Sequence, residues 1–330
     1  MALAYSVSKT SIQSNELPLL LHLFLAGEGR PVILFLHASG CHALMYRTLL
    51  SQLATAGYNI VAPDFQGHGE NRGRRGHFTL QELVNNALDA ARWACENLDD
   101  RIILVGTSMG GIVGFYALAQ DAASDRPLIH SAVLHTIAGS PEDVQAYSRF
   151  PRFFLKIRSF FYVWIRVRDR IIPVRLRRRA PLRLRQFLEI ERWRVMPIPF
   201  FLRSSGSIEA TGRRRVVLGF QALVKWIRDR RKVLAFTLSS TERLVSEPPP
   251  APIETIEVPI AMIILEKDRI IPDPEQFAKR VLSQTRAQWT VYRIPNAKHS
   301  AFHAGRDGQI DQIGRIVIDW ADSTLEFGSR

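Results

Sequence analysis

Ser108, Asp268 and His299 lie far apart in this chain, yet they are the three residue types that together make a serine nucleophilic. A serine hydroxyl attacks poorly at its free pKa. A neutral imidazole has to take its proton, and a carboxylate has to fix the imidazole tautomer and stabilise the imidazolium that forms. Ser108 is the centre of Gly106-Thr107-Ser108-Met109-Gly110, with Gly111 behind it. The apolar run Arg101 to Val105 before it and the run Ile112 to Ala119 after it predict a buried strand turning abruptly into a helix. At such a turn the serine backbone is strained, and glycine two residues to either side permits strand and helix to approach closely. The hydroxyl then stands above the sheet, and the Met109 N–H opens the helix, where a donor is free to hold a developing oxyanion.

The elements that must position these groups are also legible. Pro31 to Leu36 is a continuous apolar run of the kind buried on both faces of a parallel sheet, and it ends at His37-Ala38-Ser39-Gly40. A helix from Leu44 to Ala56 is stopped by Gly57, and Tyr58 to Ala62 is the next strand. Thr79 caps a helix running to about Asn97, with Glu82 completing a capping box. Leu128 to His135 is a further strand, and Leu17 to Ala26 reads as a strand rather than a signal peptide, since only Lys9 precedes it as a cation. Beyond about residue 257 the alternation resumes, with a strand at Ile260 to Leu265, a helix at Asp273 to Gln284, a strand at Trp289 to Ile294 and a closing helix at Ile310 to Ala321. This order predicts an α/β fold with a mostly parallel central sheet, right-handed crossovers and flanking helices. Asp268 and His299 each follow a strand, so their loops open on the same sheet edge as Ser108. The order Ser, Asp, His is the one expected of a serine on such an elbow.

The second oxyanion donor comes from the loop after the first buried strand and is assigned to the Ser39 N–H, beside that of Met109. His37, Cys41, His42, Thr107 and His303 are candidates to line the pocket. His303 also competes with His299 as the base, and Asp273 is the nearest substitute for Asp268. Asp64 and His68 are expected to hold the glycine-rich loop around Gly67 and Gly69 together.

On these motifs the chain resembles an α/β-hydrolase of the monoglyceride lipase, lysophospholipase and serine-aminopeptidase-like branch. The residues that carry the likeness are His37 to Gly40, Asp64 to Gly69 with Arg72 to Gly76, Gly106 to Gly111, Glu266 to Pro272, and Ala297 to His299. They cover about residues 30–138 and 258–325. Ala38 stands where that family usually has glycine, and Thr107 where it often has histidine. The resemblance implies the α/β-hydrolase fold, a covalent acyl-serine intermediate, no cofactor and hydrolysis of a carboxylic ester. A serine nucleophile argues against the branches that use aspartate. Amide or C–C bond cleavage by the same three groups, and a non-catalytic protein of this fold, are the alternatives.

Hydrophobic and charged contents of 46% and 23% are those of an ordinary globular protein, and the two cysteines, Cys41 and Cys95, have no metal-ligand spacing, so no metal is expected. The net charge of +13 is concentrated: residues 149–194 hold 15 basic and three acidic residues. Between about residues 140 and 257 the strand alternation breaks and aromatic residues interleave with arginine, closing at Pro248-Pro-Pro-Ala-Pro252. The domain reading is a core at 1–139 and 258–330, with a helical lid inserted at 140–257. A surface of aromatics edged by arginine suits the boundary of an anionic membrane. Arg177-Arg178-Arg179 offers a phosphate contact, but no nucleic-acid motif accompanies it. The run of apolar residues is nowhere long enough to span a bilayer, so a cytoplasmic protein, peripherally associated with membrane at most, is expected.

Overall fold

The computed structural model describes residues 5–71, 74–146, 167, 194–195, 229–233, 236–268, 270, 273–305 and 308–327. The apolar runs form the centre of an eight-stranded sheet in the order β1-β2-β4-β3-β5-β6-β9-β10. Its strands are β1 (Ser6–Ser14), β2 (Leu17–Leu25), β3 (Val32–Leu36), β4 (Asn59–Pro63), β5 (Ile102–Thr107), β6 (Ile129–His135), β9 (Ile260–Leu265) and β10 (Trp289–Ile294), while β7 (Arg194–Val195) and β8 (Phe236–Thr237) pair separately. From β4 to β10 neighbouring strands run parallel; β1 and β2 form an antiparallel flap on β4. Strands β3, β4, β5 and β9 are buried along their whole length, because helices cover both faces.

Those helices are α1 (Arg47–Thr55), α2 (Leu80–Asn97), α3 (Met109–Ala122), α4 (Pro141–Ala146), α5 (Leu238–Ser246), α6 (Pro274–Leu282), α7 (Ala301–Ala304) and α8 (Gln309–Phe327). One layer, including α2 and α3, packs Leu83, Val84, Phe115 and Tyr116 on the sheet; the other packs Leu49, Leu50 and Leu53 of α1 with Ile313 and Val317 of α8. The capping box is formed in both directions: the Thr79 hydroxyl accepts from the Glu82 N–H at 3.0 Å, and the Glu82 carboxylate accepts from the Thr79 N–H at 2.6 Å. Asp273 is likewise a cap, accepting from the Gln276 N–H at 3.3 Å at the start of α6.

One described element is not foreseen in the sequence reading. Strand β1 is absent from it, since Ser6–Ser14 is polar and exposed over most of its length. It pairs all along β2 through a two-residue turn, Asn15 and Glu16, both at positive φ (50° and 61°). That conformation matches the twist of the two strands, and Asn15 tolerates it well. Most of the segment expected as a helical lid lies outside the described residues. Residues 149–194 fall outside the described residues except for 167 and 194. The described part includes the short β7–β8 pair, and of the described residues beyond 228, Val233, Ile253 and Ile256 are buried in the core and the Phe236 ring meets Phe78 edge-on at 5.7 Å.

Candidate active site

Strand β5 ends at Thr107 and helix α3 starts at Met109, which leaves Ser108 alone to make the turn. Its φ and ψ are 54° and −121°, a region that L-residues rarely adopt and that costs about 1–3 kcal/mol. The flanking glycines are sterically required. A Cβ on Gly106 would lie 2.4 Å from the Gly110 carbonyl oxygen, and one on Gly110 would lie 2.2 Å from that of Leu36. The Ser108 N–H donates to the His135 carbonyl at 2.8 Å, tying the elbow to β6.

Parallel register brings the loops after β5, β9 and β10 to one edge. There the Ser108 Oγ lies 2.8 Å from His299 Nε2, and His299 Nδ1 lies 2.7 Å from Asp268 Oδ2. All three residues are buried, at 7–8% exposure, so their interactions are little weakened by water. The other carboxylate oxygen of Asp268 accepts from the Ile270 N–H at 2.8 Å. Burial works against the charge on Asp268, but the field of His299 and hydrogen bonds from His135 and His299 outweigh it and hold its pKa below the usual carboxylate range.

His135, at the end of β6, is a member of this cluster that the sequence reading left as an ordinary strand residue. Its Nε2 lies 3.1 Å from the same Asp268 oxygen, and its Nδ1 lies 3.2 Å from Thr107 Oγ1. Burial lowers its pKa despite Asp268, so it is a neutral hydrogen-bond donor rather than an ion-pair partner. His135, Asp268 and His299 also have ligand atoms close enough to share a metal ion, yet the hydrogen bonds of the chain Thr107, His135, Asp268, His299, Ser108 account for their arrangement.

The loop after β3 is held from beneath. Tyr46 OH accepts from the Ala38 N–H at 3.1 Å, so Ala38 is already engaged. No protein acceptor pairs with the N–H of Ser39 or of Met109 among the described residues, and Met109, the first residue of α3, has no acceptor within the helix. His37 is fully buried: its Nδ1–H donates to the Ala38 carbonyl at 2.9 Å and its Nε2 accepts from the Phe65 N–H at 3.0 Å. Burial drives its pKa down to about 4. Below it, Asp64 accepts from the backbone N–H groups of Ala43 and Glu70, both at 2.9 Å, and meets His22 Nε2 at 3.2 Å. His68 Nδ1 lies 3.1 Å from the Gln66 carbonyl.

Cys41 is buried, and desolvation pushes its thiol up to about 11, which makes it inert as a nucleophile at neutral pH. His42 Nε2 meets Asp229 Oδ2 at 2.9 Å, and the Val233 N–H donates to the Gly40 carbonyl at 2.9 Å. Arg75 donates to the carbonyls of Arg230 and Arg231, so residues 229–233 bridge the loop after β3 and the glycine-rich loop. Thr107 turns its hydroxyl to His135, and His303 places its ring against Tyr46 with centroids 5.2 Å apart.

An eight-stranded sheet of this order with a serine elbow and an Asp–His pair on the following loops defines a class. The chain belongs to the alpha/beta hydrolase family, whose profile matches residues 33–309. Among solved structures it is similar to DcsB in complex with a substrate analogue, with a TM-score of 0.69 and 14% identity over 97% of this chain and 100% of that one. It is also similar to the monoacylglycerol lipase of Paleococcus ferrophilus (TM-score 0.58, 17% identity, 97% and 99% covered). At these identities the likeness concerns the fold. Among curated proteins, a stretch of 90 residues is 30% identical to Phospholipase YtpA of Bacillus subtilis, covering 27% of this chain and 34% of that protein. A stretch of 107 residues is 27% identical to the probable protein phosphatase methylesterase 1 of Caenorhabditis elegans, covering 32% and 29%. The chain thus spans about a third of the length of the curated relatives it matches.

Proposed function

We propose that the protein is a serine hydrolase that cleaves carboxylic esters through an acyl-serine intermediate. The observation that carries this reading is the unbroken relay from Ser108 Oγ to His299 Nε2 at 2.8 Å and from His299 Nδ1 to Asp268 Oδ2 at 2.7 Å. Ser108 Oγ attacks the ester carbonyl while His299 Nε2 takes its proton. Asp268, ionised, keeps the remaining N–H on Nδ1 and stabilises the imidazolium. The tetrahedral oxyanion is held by the N–H groups of Met109 and Ser39, each worth roughly 10²–10³ in rate. The imidazolium returns the proton to the departing alkoxide, and water then cleaves the acyl-serine by the same steps in reverse roles. No step calls for a cofactor.

The substrate class we favour is a lipid-like ester such as a monoacylglycerol or lysophospholipid. It is supported by the fold shared with a monoacylglycerol lipase, by the stretch shared with a phospholipase, and by the 15 basic residues among 149–194, a composition suited to an anionic lipid surface. The described residues contain no helix long and apolar enough to cross a membrane. A fluorophosphonate probe on the full chain tests the nucleophile: labelling should be lost in Ser108→Ala. A panel of p-nitrophenyl esters from acetyl to palmitoyl tests the substrate, and activity confined to the acetyl ester would overturn the lipid assignment.

A further inference from the structure

Catalysis by a relay of this kind needs only one imidazole on the carboxylate, yet Asp268 carries two. His299 Nδ1 and His135 Nε2 approach the same oxygen, at 2.7 and 3.1 Å, with the two rings 5.0 Å apart. A carboxylate only accepts, so each nitrogen facing it must carry the proton. His135 is neutral and has one N–H, on Nε2; its Nδ1 is then an acceptor, and the Thr107 hydroxyl 3.2 Å away is the donor it faces. Thr107 and His135 are also register partners across β5 and β6, so this contact is built into the sheet immediately behind the nucleophile. The ring is fixed on its other side by Phe302, stacked at 5.4 Å and 17°, three residues after His299. The backbone here is constrained as well: β-branched Thr136 stands at φ 77°, and the His135 carbonyl holds the Ser108 N–H.

We propose that His135 is a positioning residue of this site, which, clamped by Thr107, donates to Asp268, sets the carboxylate's orientation toward His299 and limits how strongly it stabilises the His299 imidazolium. The inference rests on the serine-hydrolase reading for its catalytic meaning but not for its geometry. Two donors on one oxygen share its charge, so each hydrogen bond is weaker than it would be alone. Removing the His135 donor concentrates that charge on His299, raises the His299 pKa and leaves the carboxylate oriented by the Ile270 N–H and His299 without its third hydrogen bond. Among the described residues, the titratable groups acting on His135 are Asp268 and His299.

The test is an NMR titration of selectively labelled histidine in the full chain, for wild type, His135→Phe and His135→Gln. Phenylalanine keeps the ring stack and removes both nitrogens; glutamine restores a donor. The expected result is a rise of about 0.5–1 unit in the His299 pKa in His135→Phe, with most of it reversed in His135→Gln. In parallel, the fluorophosphonate labelling rate of Ser108 at neutral pH should fall about tenfold to a hundredfold in His135→Phe, as expected when a reacting group loses its alignment. Should His135→Phe fail to fold, Thr107→Val removes only the clamping hydroxyl, and a smaller His299 shift in the same direction is expected. An unchanged His299 titration in a folded His135→Phe or Thr107→Val protein overturns the proposal. Absence of labelling in wild type, by contrast, overturns the serine-hydrolase reading, and the titration still decides the role of His135.

Discussion

Acid should destabilise this protein well before its carboxylates titrate, because the floor beneath the loop after β3 is built from neutral histidines. Burial holds His37 at about 4 and His68 at about 3, against 6.5 for an exposed histidine. Between the unfolded and folded values the unfolded chain binds one more proton per histidine than the native state, so stability falls as pH falls. The loss starts near pH 6.5 and ends near pH 4 for His37 and near pH 3 for His68. Each contributes about 1.4 kcal/mol per pH unit inside its window, so the pair removes roughly 4 kcal/mol between pH 6.5 and 5. Burial shifts His42 and His135 in the same direction, and they add to this slope. Against a typical total of about 5–15 kcal/mol, such a loss is large. Asp64, which faces His22 and His37, has a depressed pKa, so its stabilisation is fully present above the unfolded carboxylate value and is lost only as pH falls below it. Urea unfolding followed by tryptophan fluorescence from pH 8 to 5 gives the slope directly, and His68→Phe should reduce it by about one proton. A stability that stays flat between pH 7 and 5 would refute the reasoning.

Other perturbations act on separate features. Gly110→Ala places a Cβ 2.2 Å from the Leu36 carbonyl oxygen, so strand or helix must shift; loss of Ser108 labelling and a drop in melting temperature are expected together. Tyr46→Phe strips the Ala38 N–H of its buried acceptor, which should cost about 1–3 kcal/mol in urea unfolding and lower the labelling rate if the Ser39 donor moves with the loop. Thr79→Ala removes one half of the capping box and should destabilise by about 0.5–2 kcal/mol with no change in labelling rate, since neither Thr79 nor Glu82 takes part in the hydrogen bonds of the relay.

Much of this architecture can be read locally. The elbow announces itself because only glycine fits at 106 and 110, and α2 begins at Thr79 because Thr79 and Glu82 satisfy each other's backbone donors within one turn. The buried strands are apolar along their whole length since both faces are covered, a pattern carried by five or six consecutive residues. Asp268 follows from the same logic, as it sits just past the end of such a strand, while His299 lies in the loop after the partly exposed β10. Strand β1 escapes it because an exposed edge strand has no apolar face to betray it.

What the linear order does not contain is which side chains meet across the sheet. His135 ends a strand like any other until β6 is placed between β5 and β9, where register sets it beside Thr107 and within reach of Asp268. The bridging of the loop after β3 by Asp229 and Val233 is of the same kind, joining segments far apart in sequence, with His42 and Asp229 187 residues from one another. Patterns of burial and capping depend on neighbours within a few residues and so are written in the chain itself; hydrogen bonds between strands and loops depend on topology, and come into being only when the chain closes on itself.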